Sequence, residues 1–207
     1  MTKTVEQQPY PSSTDVTMWF DPVCPYSWNT ARWLRDAATT VGFDIEWRLT
    51  NLAILNEGRE LPPPQQARMN DSRRVGRLMA AVHRDKGSAG LGTAYFAFGR
   101  RYFDQSAAVD DDLADDVLTA VGGGETTRDA FTDTSLDHLV RQSHDAGQSA
   151  LGEPGGSPIL SIDGHSFFGP VLTALPAADT TVALFGAVAT LAATTPFTQL
   201  QRPRPAA

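Results

Sequence analysis

The stretch FDPVCPYSW, residues 20–28, holds the single cysteine of the chain, Cys24. Cysteine reacts as its thiolate, and a helix amino terminus favours that form through its unpaired N–H groups and its positive dipole end. Pro25 suits the first turn of such a helix, because its missing N–H costs nothing there. The pattern indicates nucleophilic thiol chemistry at Cys24, against the alternative of a cysteine buried only for packing.

The hydroxyl of Ser27 lies one helical turn from Cys24 and is a donor for a thiolate. A thiolate that attacks a disulfide forms a mixed disulfide. A cysteine at position 27 would resolve that bond internally, but serine cannot. Because the chain has one cysteine, a second, low-molecular-weight thiol must do so. The sequence therefore predicts a monothiol mechanism.

Aromatic residues flank the same motif. Tyr26 and Trp28 offer rings at the helix start on which a flat substrate could stack, although Trp28 suits the core equally well. The stretch AYFAFGRRYF, residues 94–103, repeats aromatic residues at helical spacing, and this pattern favours a packing stripe over a ring-binding pocket.

Other chemistries have little support in the sequence. The four histidines show no metal-ligand spacing, and GSAGLG (87–92) has neither the G-x-G-x-x-G order nor a preceding strand. We expect no metal and no nucleotide cofactor.

Composition and charge limit the classes of partner and the location that the protein can have. The formal net charge of −7 argues against nucleic acid. One cysteine cannot form an internal disulfide, no apolar run is long enough to span a bilayer, and the first 15 residues lack a signal-peptide pattern. These observations predict a cytoplasmic protein without a membrane partner, and leave the oligomeric state open between monomer and homodimer.

The elements that must position Cys24 can be read on both sides of it. Residues 16–20 (VTMWF) predict a buried strand, residues 25–40 a helix closed by Gly42, and residues 43–49 a second strand. Strand, helix and strand in this order predict a parallel βαβ unit.

The rest of the chain divides into a helical part and a closing part. Residues 52–152 show mainly helical spacing. Residues 159–162 and 165–168 then predict a hairpin around Asp163-Gly164, and residues 180–193 a final helix. We read residues 1–13 and 201–207 as flexible tails.

This order resembles the thioredoxin fold with an all-helical insertion, as in the DsbA-like branch. Within that branch the chain is similar to actinobacterial mycothiol-dependent nitroreductases and oxidoreductases. The resemblance implies an α/β thioredoxin-like domain over residues 14–51 and 153–200, with the insertion at 52–152. Four blocks carry it: WFDPVCPYSW (19–28), LAILNEGR (52–59), SHDAGQSALGE…GSP (143–158) and FFGPVL (167–172).

The motif departs from that group, whose members typically have CPWC where this chain has CPYS. PYSW is also similar to the motif of kappa-class glutathione transferases and chromene-carboxylate isomerases, which hold a thiol cofactor. The resemblance further implies a cis-proline at Ser157-Pro158 whose backbone docks a thiol, and positions for Asp21 and Asn51 beside the site. As bare residues, Asp21 and Asn51 are more often turn formers.

Three functions follow. The first is a thiol-dependent oxidoreductase, for which the resemblance implies mycothiol as reductant and an electrophilic, nitro or disulfide substrate. The second is a kappa-like thiol S-transferase or thiol-cofactor-dependent isomerase, in which Ser27 holds the sulfur of the cofactor. The third is a non-catalytic thioredoxin-fold binding module.

Overall fold

The computed structural model describes residues 14–203, and its centre is a four-stranded mixed sheet in the order β2-β1-β3-β4. The first two strands run parallel, joined by helix α1, and the last two form an antiparallel hairpin that pairs with the first strand. The elements of this part are β1 (Val16–Phe20), α1 (Pro25–Val41), β2 (Ile45–Leu49), β3 (Ile159–Ile162), β4 (His165–Phe168) and a closing helix, Thr181–Ala193.

All other α-helices of the described residues lie between β2 and β3. They are α2 (Leu52–Leu55), α3 (Pro63–Gly99), α4 (Asp111–Ala120) and α5 (Asp137–Leu151), so that the closing helix is α6. A π-helical turn, Arg100–Asp104, continues α3, and 3-10 turns occupy Arg128–Phe131, Thr134–Leu136 and Ala178–Thr180. The predicted α/β thioredoxin-like fold with a helical insertion is confirmed.

The boundaries differ from the predicted ones in small ways. Gly42 ends α1 with φ 92°, and β2 begins at Ile45 rather than at Phe43. Phe43 instead stacks on Phe185 of α6, with ring centroids 4.5 Å apart. Of the predicted tails, 1–13 and 204–207 lie outside the described residues, and 201–203 are exposed and irregular.

Helix α3 is longer than the sequence pattern indicated. It is interrupted at Gly87, whose φ of 67° and ψ of −168° are not helical. The GSAGLG stretch begins at this break. Gly87 forms the interruption, and Gly90 and Gly92 lie in the helix that follows it. Four apolar residues at helical spacing in α3 are buried: Val75, Leu78, Met79 and Val82.

One continuous apolar cluster joins the sheet to the insertion. It contains Met18 and Leu49 of the sheet together with Leu78 and Tyr95 of α3 and Leu113 of α4. Burial of this shared surface holds α3 against the sheet, and it brings residues of the insertion beneath the β1–α1 loop that carries Cys24.

Within residues 14–203, none of the helices combines the length and the apolarity that crossing a bilayer would require.

Candidate active site

The loop between β1 and α1 is held by Asp21. Its carboxylate Oδ1 accepts the N–H of Val23 at 2.9 Å, and its backbone carbonyl accepts the N–H of Cys24 at 3.1 Å. A side chain that accepts a hydrogen bond two residues on forms an Asx turn. The turn delivers Cys24 to the N-cap of α1 with an extended backbone, and Pro25 begins the helix, as predicted.

Ser157 reaches this loop through the register of the sheet. β1 and β3 pair antiparallel with Trp19 opposite Ile159, so continuing that register by two residues brings Asp21 opposite Ser157. The N–H of Asp21 donates to Ser157 Oγ at 2.7 Å. The Ser157–Pro158 peptide bond is cis, as the sequence resemblance implied.

Three of the predicted site residues meet directly. The Cys24 thiol donates to the Ser157 carbonyl oxygen, with sulfur and oxygen 3.3 Å apart. The hydroxyl oxygens of Ser27 and Ser157 are 2.5 Å apart. Ser157 therefore contacts Asp21, Cys24 and Ser27, and it links two of the four sequence blocks that carry the resemblance, 19–28 and 143–158.

Burial and the helix terminus act on the acidity of Cys24 in opposite directions. Burial raises the pKa of Cys24 above its ordinary value, and the charge of Asp21 raises it further. The Ser27 N–H and hydroxyl and the Tyr26 N–H lower that pKa, as a thiolate at a helix amino terminus requires, but they do not outweigh burial. The side chain of Cys24 is 4% exposed, and the resting group is the protonated thiol.

The Asp21 carboxylate also ties the loop to the insertion. Its Oδ2 accepts the N–H of Leu52 at 2.7 Å and the hydroxyl of Ser72 at 2.5 Å. Burial raises the pKa of Asp21 above its ordinary value, while these donors and that of Val23 lower it. With three donors, the carboxylate of Asp21 is a satisfied structural anion.

Asn51 is connected to the Cys24 loop through Ser72. Its Oδ1 accepts the N–H of Ile54 at 3.1 Å and so caps α2, and its Nδ2 donates to the Ser72 carbonyl at 3.0 Å. Asn51 thus supports Ser72, which in turn bonds Asp21. These bonds agree with the turn-forming role left open for it in the sequence.

The two aromatic residues of the motif, Tyr26 and Trp28, differ in burial. Trp28 is 3% exposed and packs against Tyr95 and Phe103, with centroid distances of 5.7 and 5.9 Å. Its Nε1–H donates to Asp104 Oδ1 at 3.1 Å. Of the two roles considered for Trp28, these contacts support the core role. Pro25 is exposed and Tyr26 half-buried, so these two lie at the surface of the motif.

Two residues of α3 beneath the loop were not identified as site residues. Ser72 bonds Asp21, but a serine on the buried face of a helix carries no signal that names its partner. Tyr95 was assigned to a packing stripe, and it is buried there, but its hydroxyl has no hydrogen-bond partner among the described residues.

The sequence predicts no metal site, because the four histidines lack metal-ligand spacing. Among residues 14–203, no group of three or more His, Cys, Asp and Glu side chains is placed to hold a metal ion. His144 instead accepts the N–H of Asn51 at 3.2 Å through Nδ1.

Comparisons with known proteins find similar sequences and similar structures. The uncharacterized protein Rv2286c of Mycobacterium tuberculosis is 30% identical over 198 residues, 92% of this chain and 83% of that protein. A 2-hydroxychromene-2-carboxylate isomerase is similar in structure, with a TM-score of 0.58 and 16% identity over 87% of this chain and 97% of that one. So is DsbM, a cytosolic disulfide reductase of Pseudomonas aeruginosa solved with GSH, with a TM-score of 0.53 and 14% identity over 84% and 98% of the two chains.

These two structural neighbours share the fold. The family is shown by the sequence, because the family model of the mycothiol-dependent nitroreductase Rv2466c matches residues 23–202. That match begins just before Cys24 and extends past α6. The chain therefore belongs to the Rv2466c-like family of mycothiol-dependent nitroreductases.

Proposed function

We propose that the protein is a monothiol oxidoreductase in which Cys24 is the nucleophile and mycothiol the external reductant. The observation that carries the proposal is the hydrogen-bonded group of Cys24, Ser27 and Ser157 at the amino terminus of α1. A thiol, a hydroxyl that lowers its pKa and a backbone carbonyl meet there, in a chain with one cysteine. Family membership supports a low-molecular-weight thiol as cosubstrate.

The first step is attack by the Cys24 thiolate on a disulfide sulfur. A bond forms between Sγ and that sulfur, the substrate's S–S bond breaks, and the other half leaves as a thiolate. Ionisation of Cys24 frees the Ser157 carbonyl of its S–H donor. That carbonyl is then available to an N–H of the bound thiol, and Pro158 forms the docking edge beside it.

The second step releases the adduct. A mycothiol thiolate attacks the substrate sulfur of the mixed disulfide, the new S–S bond joins the two small thiols, and Cys24 leaves as a thiolate. Ser27 and the first N–H groups of α1 stabilise that leaving sulfur. Reduction of an electrophilic or nitro substrate would take each pair of electrons from two mycothiol molecules, which leave joined as mycothiol disulfide.

The helical insertion supports this site from below. We propose the division into a thioredoxin-like part, 14–51 and 153–200, and an insertion, 52–152, with Ser72 of the insertion bonded to Asp21 of the loop.

A mechanism that consumes a reduced small thiol suits a reducing compartment, so we propose a cytoplasmic location.

The test is a screen of thiol disulfides by intact-protein mass. The protein is incubated with the disulfides of mycothiol, glutathione and coenzyme A. We expect one adduct for each molecule of protein, on Cys24, favoured with mycothiol and reversed by free mycothiol. The Cys24→Ala variant is the control and should gain no mass. Absence of any adduct on the wild type would contradict the proposal and favour a non-catalytic binding module.

A second function is favoured by the state of Cys24. Because its thiol is protonated, buried and bonded to Ser157, Ser27 rather than Cys24 could hold the reacting sulfur of a thiol cofactor. This is the arrangement of a kappa-like transferase or a thiol-dependent isomerase. Turnover of an electrophile with mycothiol by the Cys24→Ala variant, and its loss in Ser27→Ala, would favour this function over the first.

A further inference from the structure

Gln148 controls how the chain leaves α5 on its way to Ser157. Its backbone carbonyl accepts the N–H of Gly152 at 2.9 Å, where α5 ends. Its side chain reaches three residues further along the chain, and Oε1 accepts the N–H of Gly155 at 2.6 Å. One residue of the helix therefore bonds the following segment at two points, the second of them two residues before Ser157.

The segment before Ser157 is a close-packed stretch of bare backbone. A Cβ added at Gly155 would meet the side chain of Leu151, and one added at Gly156 would lie 3.1 Å from a ring carbon of Phe168. Glycine has more backbone freedom than any other residue. The hydrogen bond to Gln148 therefore fixes a part of the chain that has no side chains of its own to hold it.

The other end of the Gln148 amide is tied to the strand that carries Cys24. Nε2 donates to Thr50 Oγ1 at 3.4 Å, and Thr50 is 2% exposed. The backbone N–H of Thr50 donates to the carbonyl of Phe20 at 3.0 Å, and Phe20 is the last residue of β1. Gln148 thus bridges the start of the Cys24 loop and the backbone that leads into Ser157.

The two segments that Gln148 bridges carry the atoms of the site. The Cys24 sulfur lies 3.3 Å from the Ser157 carbonyl oxygen. The Ser157 hydroxyl is held separately, by the N–H of Asp21 and the hydroxyl of Ser27. Those bonds fix the side chain of Ser157, whereas the bond from Gly155 to Gln148 fixes the main chain that enters it.

We propose that Gln148 is a positioning residue for the docking of the thiol cosubstrate. Through Gly155 it holds the Ser157 carbonyl at the place where that carbonyl accepts the N–H of a thiol bound to Cys24. Gln148 itself does not touch the thiol. The inference rests on the proposed function, which assigns docking to the Ser157 carbonyl.

The test compares two reactions of Cys24, of which one needs docking. Mycothiol disulfide docks beside Ser157, whereas iodoacetamide needs only the thiolate. Both rates are measured by intact-protein mass, and their ratio removes any effect on the pKa of Cys24. Gln148→Met has a similar volume but neither the oxygen nor the N–H. Its ratio of disulfide to iodoacetamide rate should fall about fivefold, because one hydrogen bond no longer orients the docking carbonyl.

A conservative variant and a matched control complete the test. Gln148→Glu keeps an acceptor for the Gly155 N–H, so it should restore the ratio to near that of the wild type. Gln142→Met, at an exposed position of the same helix, should leave the ratio unchanged. Should Gln148→Met not fold, Gln148→Asn gives the same comparison, because its shorter side chain withdraws the acceptor from Gly155.

The possible failures are distinguishable. If Gln148→Met or Gln148→Asn had a lower free energy of unfolding but an unchanged ratio, the role of Gln148 would be structural and the proposal overturned. That result would leave the proposed function intact. Absence of a mycothiol adduct on the wild type would instead contradict the docking step, and both proposals with it.

Discussion

The Cys24 thiol and the Ser157 carbonyl oxygen lie 3.3 Å apart, with the sulfur as donor. A carbonyl accepts from a thiol but repels a thiolate, so this contact belongs to the protonated protein. Burial also favours the protonated thiol, because it raises the pKa of Cys24. Activation of the site therefore includes the loss of this bond, and the groups that replace it decide how readily Cys24 reacts.

The Ser157 hydroxyl should contribute to folding as well as to the site. In Ser157→Ala the buried N–H of Asp21 loses its acceptor at 2.7 Å, and Ser27 loses its hydroxyl partner. We expect the free energy of unfolding to fall by about 1–3 kcal/mol, measured by urea denaturation with an unchanged slope. Ser149→Ala, at an exposed position of α5, is the control; equal stability of the two variants would show that the hydroxyl is not needed.

The charge of Asp21 should restrain Cys24. Because that charge raises the pKa of Cys24, Asp21→Asn should lower it, and a shift of about half a unit corresponds to roughly threefold faster alkylation at pH 7. The exposed Asp36→Asn, on the same helix as the motif, should have no effect. Slower alkylation in Asp21→Asn would mean that the lost loop contacts of the carboxylate matter more than its charge.

Local signals in the sequence were enough for the strands and the loop. The β-branched and aromatic run at Val16–Phe20 is the observed β1. Asp163 and Gly164 both have positive φ, 49° and 80°, as the predicted Asp-Gly hairpin requires. These features depend on residues next to one another, so the residue types alone predict them.

Contacts between distant segments were beyond such reasoning. The hydrogen bond from Ser72 to Asp21 joins residues 51 positions apart, and the Tyr95 ring lies on Phe20 only because α3 packs beneath the sheet. The burial that raises the pKa of Cys24 likewise depends on distant segments. The helix terminus is a local feature. The burial of Cys24 depends instead on how Ser157 and α3 pack against the loop.

His144 should make stability depend on pH. Its Nδ1 accepts the N–H of Asn51 at 3.2 Å and lies 2.9 Å from Thr50 Oγ1, and burial lowers its pKa below the ordinary value of 6.5. The folded protein thus binds this proton less readily than the unfolded chain. The contribution of the neutral ring is complete above pH 6.5 and is lost as the pH falls through the folded-state pKa.

His144→Asn keeps an acceptor near the Nδ1 position but removes the titration. The free energy of unfolding of the wild type should therefore fall relative to that of His144→Asn between about pH 7 and pH 5, measured by urea denaturation. His144→Ala also removes the acceptor and should lose about 1–3 kcal/mol at pH 7. A difference between wild type and His144→Asn that stays constant with pH would contradict this account.

Gly99 should not tolerate alanine although it lies in a helix. Its φ of −61° and ψ of −37° are helical, and alanine there would ordinarily gain up to about 1 kcal/mol. A Cβ at Gly99, however, would lie 2.4 Å from a ring carbon of Trp28, which is backed by Tyr95 and Phe103. We expect a net loss of about 1–3 kcal/mol and a lower melting temperature. Thr93→Ala, exposed on the same helix, should be neutral or stabilising.

A cysteine introduced at position 27 should change how the adduct on Cys24 is resolved. The Ser27 hydroxyl is close enough to lower the pKa of Cys24, and a thiol in its place would attack the Cys24 sulfur of a mixed disulfide. After incubation with mycothiol disulfide, the wild type should retain one bound thiol. Ser27→Cys should instead release it and lose the mass of two hydrogens, because a disulfide forms between Cys24 and the introduced thiol.

The control for this experiment is Ser149→Cys, at an exposed position of α5, which should retain its adducts. It also adds one thiol to the chain, but far along the sequence from the motif. A stable adduct on Cys24 in Ser27→Cys would mean that a side chain at position 27 cannot reach the sulfur. The serine would then not be what makes resolution depend on an outside thiol.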